Sequence, residues 1–497
     1  MKRFFLLSIV AVATLAAAGQ VNELPRGSAL DEGVSPQAIE RFVDTLMAIP
    51  DTHLHHLMVV RHGTVIAEAH PAPFTATDVH TLYSCSKTVT ALAIGTLIDD
   101  NRLRLDDRVA ALLPDKCPDT IGDGLASLTV RHLLTMSAGI TPTLDFTTAS
   151  DDWTRAWLAR PVEEQGRFRY DSMCTFTLSM IVQRVTGTTL LNYVNERFFG
   201  PMHITVADWE LSPDGYTTGG FGLRLQAESM AKIGLLILHK GQWEGRQLVS
   251  ERWIDEMTTG HINYKYPGDT PTDTNRGYCY QMWRCLLDGA VRADGAYGQF
   301  IVVMPEQDMV VVMTGMSKRT RDELRAIWQQ LVPGVDAPGT RAQERRMAKK
   351  LDGLALPVQR GAKFPASKQR IGESIEIKLP ENARNFATLR LSRQPHGYDL
   401  ILTKNDGKTA NFTLDYGRWS KPVTVEMAPP YHNGAEPVNY DPIRGLDNRW
   451  TVSGNYAWTA ERTLTINLYW TNWIVMQTIT IDFGGDTPTV TFAENYP

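Results

Sequence analysis

Apolar positions recur along this chain with two periods, and the switch between them divides it. Ile39, Phe42, Val43, Leu46 and Met47 fall at helical spacing, with Ser35 placed to cap them, so residues 35–49 are expected to form an amphipathic helix. LHHLMVVRHGTVIAEAH follows and reads as two strands around a turn at His62-Gly63. From about Ser86 to Ile98 most positions are apolar, and a helix apolar on most sides belongs inside a core. The stretch from Val130 to about Thr259 is mainly helical in pattern. Near Tyr278 the period shortens. YQMWRC, QFIVVMP and MVVVMTGM are successive strand candidates, the last two joined by a turn at Glu306-Gln307-Asp308. A charged amphipathic helix over about 319–331 closes this region, and a Pro/Gly-punctuated, then basic, connector follows. Beyond it, TLRLS, YDLILT, NFTLDY, WTVSGNYAW, TLTINLYW, VMQTITIDF and TVTF alternate at the strand period.

This order predicts an α+β domain over residues 19–332, a linker over 333–357 and an all-β domain, barrel or sandwich, over 358–497. Each is expected to fold as its own unit, with the first complete before the connector begins. A chain of 497 residues, 43% of them hydrophobic, can bury cores of that size. The formal net charge is only −5 and no basic stripe occurs, so nothing points to nucleic acid. Arg341 to Lys350 is the richest basic stretch and reads as a solvated helix face or linker. At the N-terminus, Met1-Lys2-Arg3 precede an apolar run from Phe4 to Leu15 and the small residues Ala16-Ala17-Ala18. That is the layout of a signal peptide over 1–18, so an exported protein, periplasmic or secreted, is expected to begin near Gly19 or Gln20. No later stretch is long enough to cross a bilayer, and no stable membrane span is expected once the signal is removed. The five cysteines do not suggest a disulfide framework. Two of them, Cys279 and Cys285, stand roughly 20 Å apart if YCYQMWRC is one strand.

The first candidate chemistry is Ser84-Cys85-Ser86-Lys87, at the mouth of the apolar helix. Serine at i and lysine at i+3 share one helix face. A serine hydroxyl is a weak nucleophile until a base takes its proton, and lysine serves once burial disfavours its charged form. The helix N-terminus adds N–H groups aimed at a developing oxyanion. Spacing alone does not single this site out, because Ser229-Met230-Ala231-Lys232 repeats it, where it reads as a surface pair. Two rival sites also stand in the sequence. Cys85 shares the helix start, where a thiolate is favoured, but it has no lysine three or four residues on, and packing as a small hydrophobe explains it. Six of the twelve histidines lie between His53 and His80. Asp51-Thr52-His53-Leu54-His55-His56 resembles the His-x-His strand of metal-dependent amidohydrolases, with His53 and His55 on one strand face. That class needs more ligands at the ends of later barrel strands, and the later histidines are scattered. Polar residues flanking an edge strand are the simpler account, and no metal or cofactor is expected.

Longer segments decide between the two serines. YSCSKTVTALAIGTLIDDNRLRLDDRV resembles the nucleophile helix of the penicillin-recognising serine hydrolases, the superfamily of class C β-lactamases, DD-peptidases and their esterase and amidase relatives. LTVRHLLTMSAGI resembles the segment that follows, and FRYDSMCTFTLSMIVQRVTG the second motif. GGFGLRLQAESMAKIGLLILHKGQWEGRQLV is similar to the later helices of the esterase-like branch, and ADGAYGQFIVVMPEQDMVVV to the third motif and its strand pair. The resemblance spans roughly residues 35–331 with order and spacing kept. It implies a β-lactamase-like fold, an antiparallel sheet flanked by helices with a mostly helical lobe.

The resemblance also implies roles. Ser84 is then the nucleophile, Lys87 its base and Tyr170 a proton relay. The family's Tyr-x-Asn is Tyr170-Asp171-Ser172 here, so Ser172 offers substrate a hydroxyl but not an amide's donors. Lys-Thr-Gly of many members is Ala293-Asp294-Gly295. Gly295 still permits close approach of a strand edge, the cation that holds a substrate carboxylate is gone, and Asp294 adds negative charge beside the substrate. Backbone N–H groups of Ser84 and Ala296 are the implied oxyanion donors. DGAYGQ resembles members that cleave esters or linear amides. The expected function is therefore an exported serine hydrolase that cleaves an ester or amide of a small-molecule or peptide substrate through a Ser84 acyl-enzyme. The alternatives are β-lactamase or DD-peptidase activity, a non-catalytic ligand-binding relative and, most remote, a metal-dependent amidohydrolase.

Overall fold

A computed structural model describes residues 23–144, 151–263, 272–365, 372–382, 384–430 and 441–495. The signal-peptide reading, residues 1–18, lies outside them. Helix α1 (Pro36–Ala48) leads into strands β1 (Thr52–Arg61) and β2 (Thr64–Ala69). Ser35 takes the N-cap position of α1, but its side chain makes no capping bond; Pro36 fits the first turn, where no N–H is needed. Strands β3 (Trp283–Arg284), β4 (Val291–Gly295), β5 (Gln299–Met304) and β6 (Met309–Ser317) complete an antiparallel sheet in the order β2–β1–β6–β5–β4–β3.

Helices cover both faces of this sheet, which is why its strands read as unbroken apolar runs. Met58, Val60, Ile301, Val303, Val310 and Val312 point into one core with helices α2 (Ser86–Asp99), α3 (Ser172–Thr186) and α4 (Ala227–Leu238). Leu57, Val59, Val302, Met304, Val311 and Met313 point the other way, against α1 and the helical turns from Thr320 to Leu331. Helix α2 is buried on every side from Ser86 to Leu97. A Cβ at Gly95 would fall 2.1 Å from the Trp253 indole, so only glycine lets that ring lie across α2, where its Nε1 donates to the Ala91 carbonyl at 3.1 Å.

Within the stretch read as a connector, α5 (Arg341–Asp352) is a helix with a capping box formed by Thr340 and Gln343. Met347 and Leu351 pack with the α1 side of the core, while Arg346 and Lys350 pair with Glu40 and Asp44 of α1. The YCYQMWRC segment departs from the strand expectation, because only Trp283 and Arg284 lie in the sheet. Cys279 N–H donates to the Met282 carbonyl at 2.8 Å and Gln281 sits at φ 61°, so the chain turns there. The Gln281 side chain fixes that turn. It donates to the carbonyls of Leu133 and Leu134 at 3.1 and 3.0 Å and accepts from Thr175 at 2.5 Å. All five cysteines are free and buried.

Among the described residues, the C-terminal domain is one nine-stranded sheet. Its strands are β7 (Ser374–Lys378), β8 (Phe386–Arg393), β9 (Gly397–Lys404), β10 (Thr409–Tyr416), β11 (Val423–Val425), β12 (Trp450–Ala460), β13 (Thr463–Trp470), β14 (Met476–Asp482) and β15 (Thr489–Glu494). Neighbours pair in chain order, except that β10 runs parallel to β12 and β11 adds to β12. Among the described residues β7 and β15 are its two unpaired ends, so the sheet is a half-barrel instead of a closed barrel or a sandwich. Alternate residues such as Leu389, Leu391, Leu400, Leu402, Ile466 and Leu468 fill its inner face.

The two domains are not independent in packing. Tyr83, Tyr297 and Met316 of the first pack into the core of the second. Arg224 lies 4.7 Å over the Trp450 ring and donates to the Asp447 carbonyl at 2.8 Å. The clustered histidines also belong to this joint. Strand β1 is not an edge, since β2 and β6 flank it, and His55 and His56 are fully buried. The Tyr469 hydroxyl meets His55 Nε2 at 2.7 Å and His53 Nδ1 at 3.2 Å. His55 Nδ1 meets His80 Nε2 at 2.8 Å, and His80 Nδ1 meets the Thr81 carbonyl at 2.8 Å. A carbonyl only accepts, so His80 carries its proton on Nδ1, its Nε2 accepts from His55, and His55 Nε2 accepts from the tyrosine. Burial holds His55 and His56 well below the usual imidazole range and pushes His80 down to about 4, so these rings are neutral. Among the described residues, no three His, Cys, Asp or Glu side chains are placed to hold a metal ion.

Candidate active site

Tyr83–Cys85 form a single 3-10 turn that delivers Ser84 to the head of α2. The turn is pinned from outside. Leu82 N–H donates to the Leu223 carbonyl at 2.9 Å, and Ser86 Oγ donates to the Tyr83 carbonyl at 2.6 Å while accepting from Leu223 N–H at 3.2 Å. Ser84 is left half-buried, and Lys87, one turn on, is 1% exposed. Lys87 Nζ lies 3.0 Å from Ser84 Oγ, 3.0 Å from Ser172 Oγ and 2.5 Å from the Gly220 carbonyl. Burial pushes the Lys87 amine down to about 7, opposed by the charge of Asp171. A neutral amine keeps two N–H donors. Ser172 and Gly220 supply two acceptors, which leaves the nitrogen lone pair for the Ser84 hydroxyl.

Helix α3 supplies the second group of side chains. Asp171 is its N-cap, accepting from Met173 N–H at 2.8 Å and from Trp157 Nε1 at 3.1 Å, and this seats Ser172 at the first helical position beside Lys87. Tyr170, just before the cap, is half-buried, with its phenol in electrostatic reach of Ser84. Lys87 Nζ stands 5.1 Å over its ring, and Trp283 stacks on it at 5.5 Å. Burial raises the phenol, so the hydroxyl keeps its proton at neutral pH. Ser84, Lys87, Tyr170 and Ser172 therefore meet at one point. The sequence reading passed over Asp171, although an aspartate before a helix start is itself a cap signal.

The third motif closes the other side. A Cβ at Gly295 would lie 2.3 Å from the Leu82 carbonyl, so the end of β4 presses against the nucleophile turn. Ala293 is 1% exposed, inside the sheet. Asp294 is half-buried, but its charge is answered within the chain. Arg292 Nε donates to it at 2.8 Å while the same guanidinium donates to the carbonyls of Arg284 and Asp273 at 3.1 and 2.9 Å. Burial raises Asp294 and Arg292 opposes that rise. Residues two apart on a strand share a face, so this pairing was available from the sequence. Arg276 pairs with Asp288 instead. Among the described residues, the backbone N–H groups of Ser84 and Ala296 find no acceptor in the chain.

The rival sites are placed otherwise. Cys85 is fully buried with Sγ toward the Gln299 carbonyl at 3.2 Å, and burial, helped by the charge of Asp294, holds its thiol well above the usual range. Ser229 and Lys232 are buried, not a surface pair, and Lys232 Nζ donates to the carbonyls of Met202 and His203 at 3.1 and 3.5 Å.

Comparison with known proteins gives the following. The sequence model of a family described as Beta-lactamase matches residues 39–332. A 6-aminohexanoate-dimer hydrolase from Paenarthrobacter ureafaciens is 25% identical over 299 residues, 55% of this chain and 75% of that protein. A lovastatin esterase from Penicillium rubens is 27% identical over 157 residues, 26% of this chain and 39% of that protein. Among solved structures, a candidate beta-lactamase from Bacteroides dorei DSM 17855 superposes with a TM-score of 0.53 at 18% identity, covering 60% of this chain and 99% of the other. That likeness speaks to the fold.

Proposed function

Because the chain belongs to the Beta-lactamase family of serine hydrolases, we propose that it cleaves a neutral ester or amide through an acyl-enzyme on Ser84. The observation that carries this is the 3.0 Å contact between Lys87 Nζ and Ser84 Oγ, with the amine buried and titrating near neutrality. Neutral Lys87 takes the Ser84 proton as Oγ bonds to the substrate carbonyl carbon. The carbonyl π electrons move to oxygen, and the amides of Ser84 and Ala296 receive the oxyanion. When the tetrahedral intermediate collapses, the bond to the leaving alcohol or amine breaks, and the departing group takes a proton from Lys87 through the Tyr170 hydroxyl. Water then adds to the acyl carbon and gives a proton to Lys87; the bond from that carbon to Ser84 Oγ breaks, Oγ takes the proton back from Lys87, and the acid product leaves. The test is a fluorophosphonate probe with mass mapping of the labelled peptide. Label on Ser84 is the expected result, and label on another serine overturns the proposal.

Two further outcomes follow from the geometry. Lys87 must be neutral to accept a proton, so kcat/KM for a p-nitrophenyl ester is expected to rise with pH through about 7 and level off above it. A profile flat from pH 5 to 9 would remove Lys87 as the base. Tyr170→Phe keeps the ring that stacks on Trp283 and loses only the hydroxyl, and kcat is expected to fall at least about tenfold with thermal stability little changed. Unaltered kcat would take Tyr170 out of the proton path.

A further inference from the structure

Each implied oxyanion donor has a strained neighbour. Tyr83, before Ser84, sits at φ 46°, and Tyr297, after Ala296, at φ 65°. A bulky residue in this left-handed region persists only where its surroundings over-determine it. Those surroundings come from the other domain. The two tyrosine rings meet edge to face at 5.5 Å, and Tyr83 lies 6.1 Å from Trp473, in the turn between β13 and β14. Both tyrosines pack into the core of the half-barrel, outside the cores of their own domain. Trp473 is fully buried and backed edge-on by Trp450 at 5.7 Å. Its neighbour Asn472 grips the segment from Val79 to Thr81 that enters the nucleophile turn. The Asn472 carbonyl accepts from Thr81 N–H at 3.2 Å, and its Nδ2 donates to the Val79 carbonyl at 3.3 Å.

We propose that Trp473 is a positioning residue for the oxyanion site, so that the C-terminal domain forms part of the catalytic apparatus. The ring bears on Tyr83 and, through it, on Tyr297. It holds both in the backbone conformations that aim the N–H groups of Ser84 and Ala296 at one substrate oxygen. The inference rests on the reading of Ser84 as nucleophile. Oxyanion donors work only when preorganised, and a shift of about 1 Å costs up to about a hundredfold in rate.

The experiment uses the full chain with Trp473→Leu and Trp473→Phe. Trp458→Leu is the control, because it removes a buried ring of the same size that packs on Phe483 at 5.5 Å. Trp473→Leu is expected to lower kcat on a short ester about tenfold or more with KM within about twofold, since the change acts in the transition state. The phenylalanine variant should recover most of that loss, and Trp458→Leu should keep kcat within about twofold even where its thermal stability falls as far. Asn472→Ala, a milder change, is expected to lower kcat about threefold and serves if Trp473→Leu does not fold. Unchanged kcat in Trp473→Leu, or in Asn472→Ala where the leucine variant does not fold, with Ser84 still labelled by fluorophosphonate, overturns the proposal and leaves the nucleophile standing. An equal loss in Trp458→Leu also overturns it, as an effect of domain stability alone. Failure of the nucleophile reading shows separately, as label elsewhere in the unmodified protein.

Discussion

Ser84→Ala is expected to cut turnover of a short p-nitrophenyl ester by roughly 10³-fold or more, because binding alone does not replace a nucleophile. The same substitution at the second Ser-x-x-Lys, Ser229→Ala, should leave turnover within about twofold. The difference lies in what each lysine touches. Lys87 shares its nitrogen among Ser84, Ser172 and the Gly220 carbonyl, in a pocket that holds it close to neutral. Lys232 is lowered by burial too, but its protons go to the carbonyls of Met202 and His203, which fastens α4 to the chain before it. Thermal melting of both variants separates lost chemistry from lost fold. Equal losses of turnover in two folded variants would place the nucleophile elsewhere.

A chromogenic cephalosporin is expected to be a poorer substrate than the short ester, judged by kcat/KM. A lactam antibiotic presents a carboxylate near the scissile bond. A charge-assisted contact to it is worth about 1.5–3 kcal/mol, or roughly ten- to a hundredfold. At the motif position where many relatives carry lysine, this chain has Ala293, buried in the core that α2 shares with the sheet. The two arginines nearby do not stand in. Arg292 is buried against Asp294 and two backbone carbonyls, and Arg276 pairs with Asp288. That pairing also tempers the repulsion expected of Asp294, so the discrimination comes mainly from the missing cation. A cephalosporin value above that of the ester would sink the idea.

The parts of this site that were legible in the sequence are the local ones. Ser84 and Lys87 are one helical turn apart, so their contact follows from spacing. Tyr170 and Ser172 are far along the chain, and only the resemblance to a known family joined them to Ser84. The Gly220 carbonyl, the third partner of Lys87, carries no side-chain signature at all. YQMWRC alternates as a strand does, and nothing local reveals that Gln281 turns inward to the carbonyls of Leu133 and Leu134. The strands of the second domain were plain from their period, but whether β7 meets β15 depends on curvature over nine strands, which no single strand encodes. The histidines of β1 were read as flanking an edge because their partners, His80 and Tyr469, arrive from a distant strand and from the other domain.

Of the Lys-Thr-Gly found in many relatives, this chain keeps only Gly295. The two positions that changed carry the difference in charge, while the one that stayed sets a clearance, since any side chain there would strike the Leu82 carbonyl and lever β4 off the nucleophile turn. The backbone thus separates one position that has no room for a side chain from two that carry one. Charge at the two positions before Gly295 can therefore differ without moving the strand, so long as the bare backbone between strand and turn is left alone.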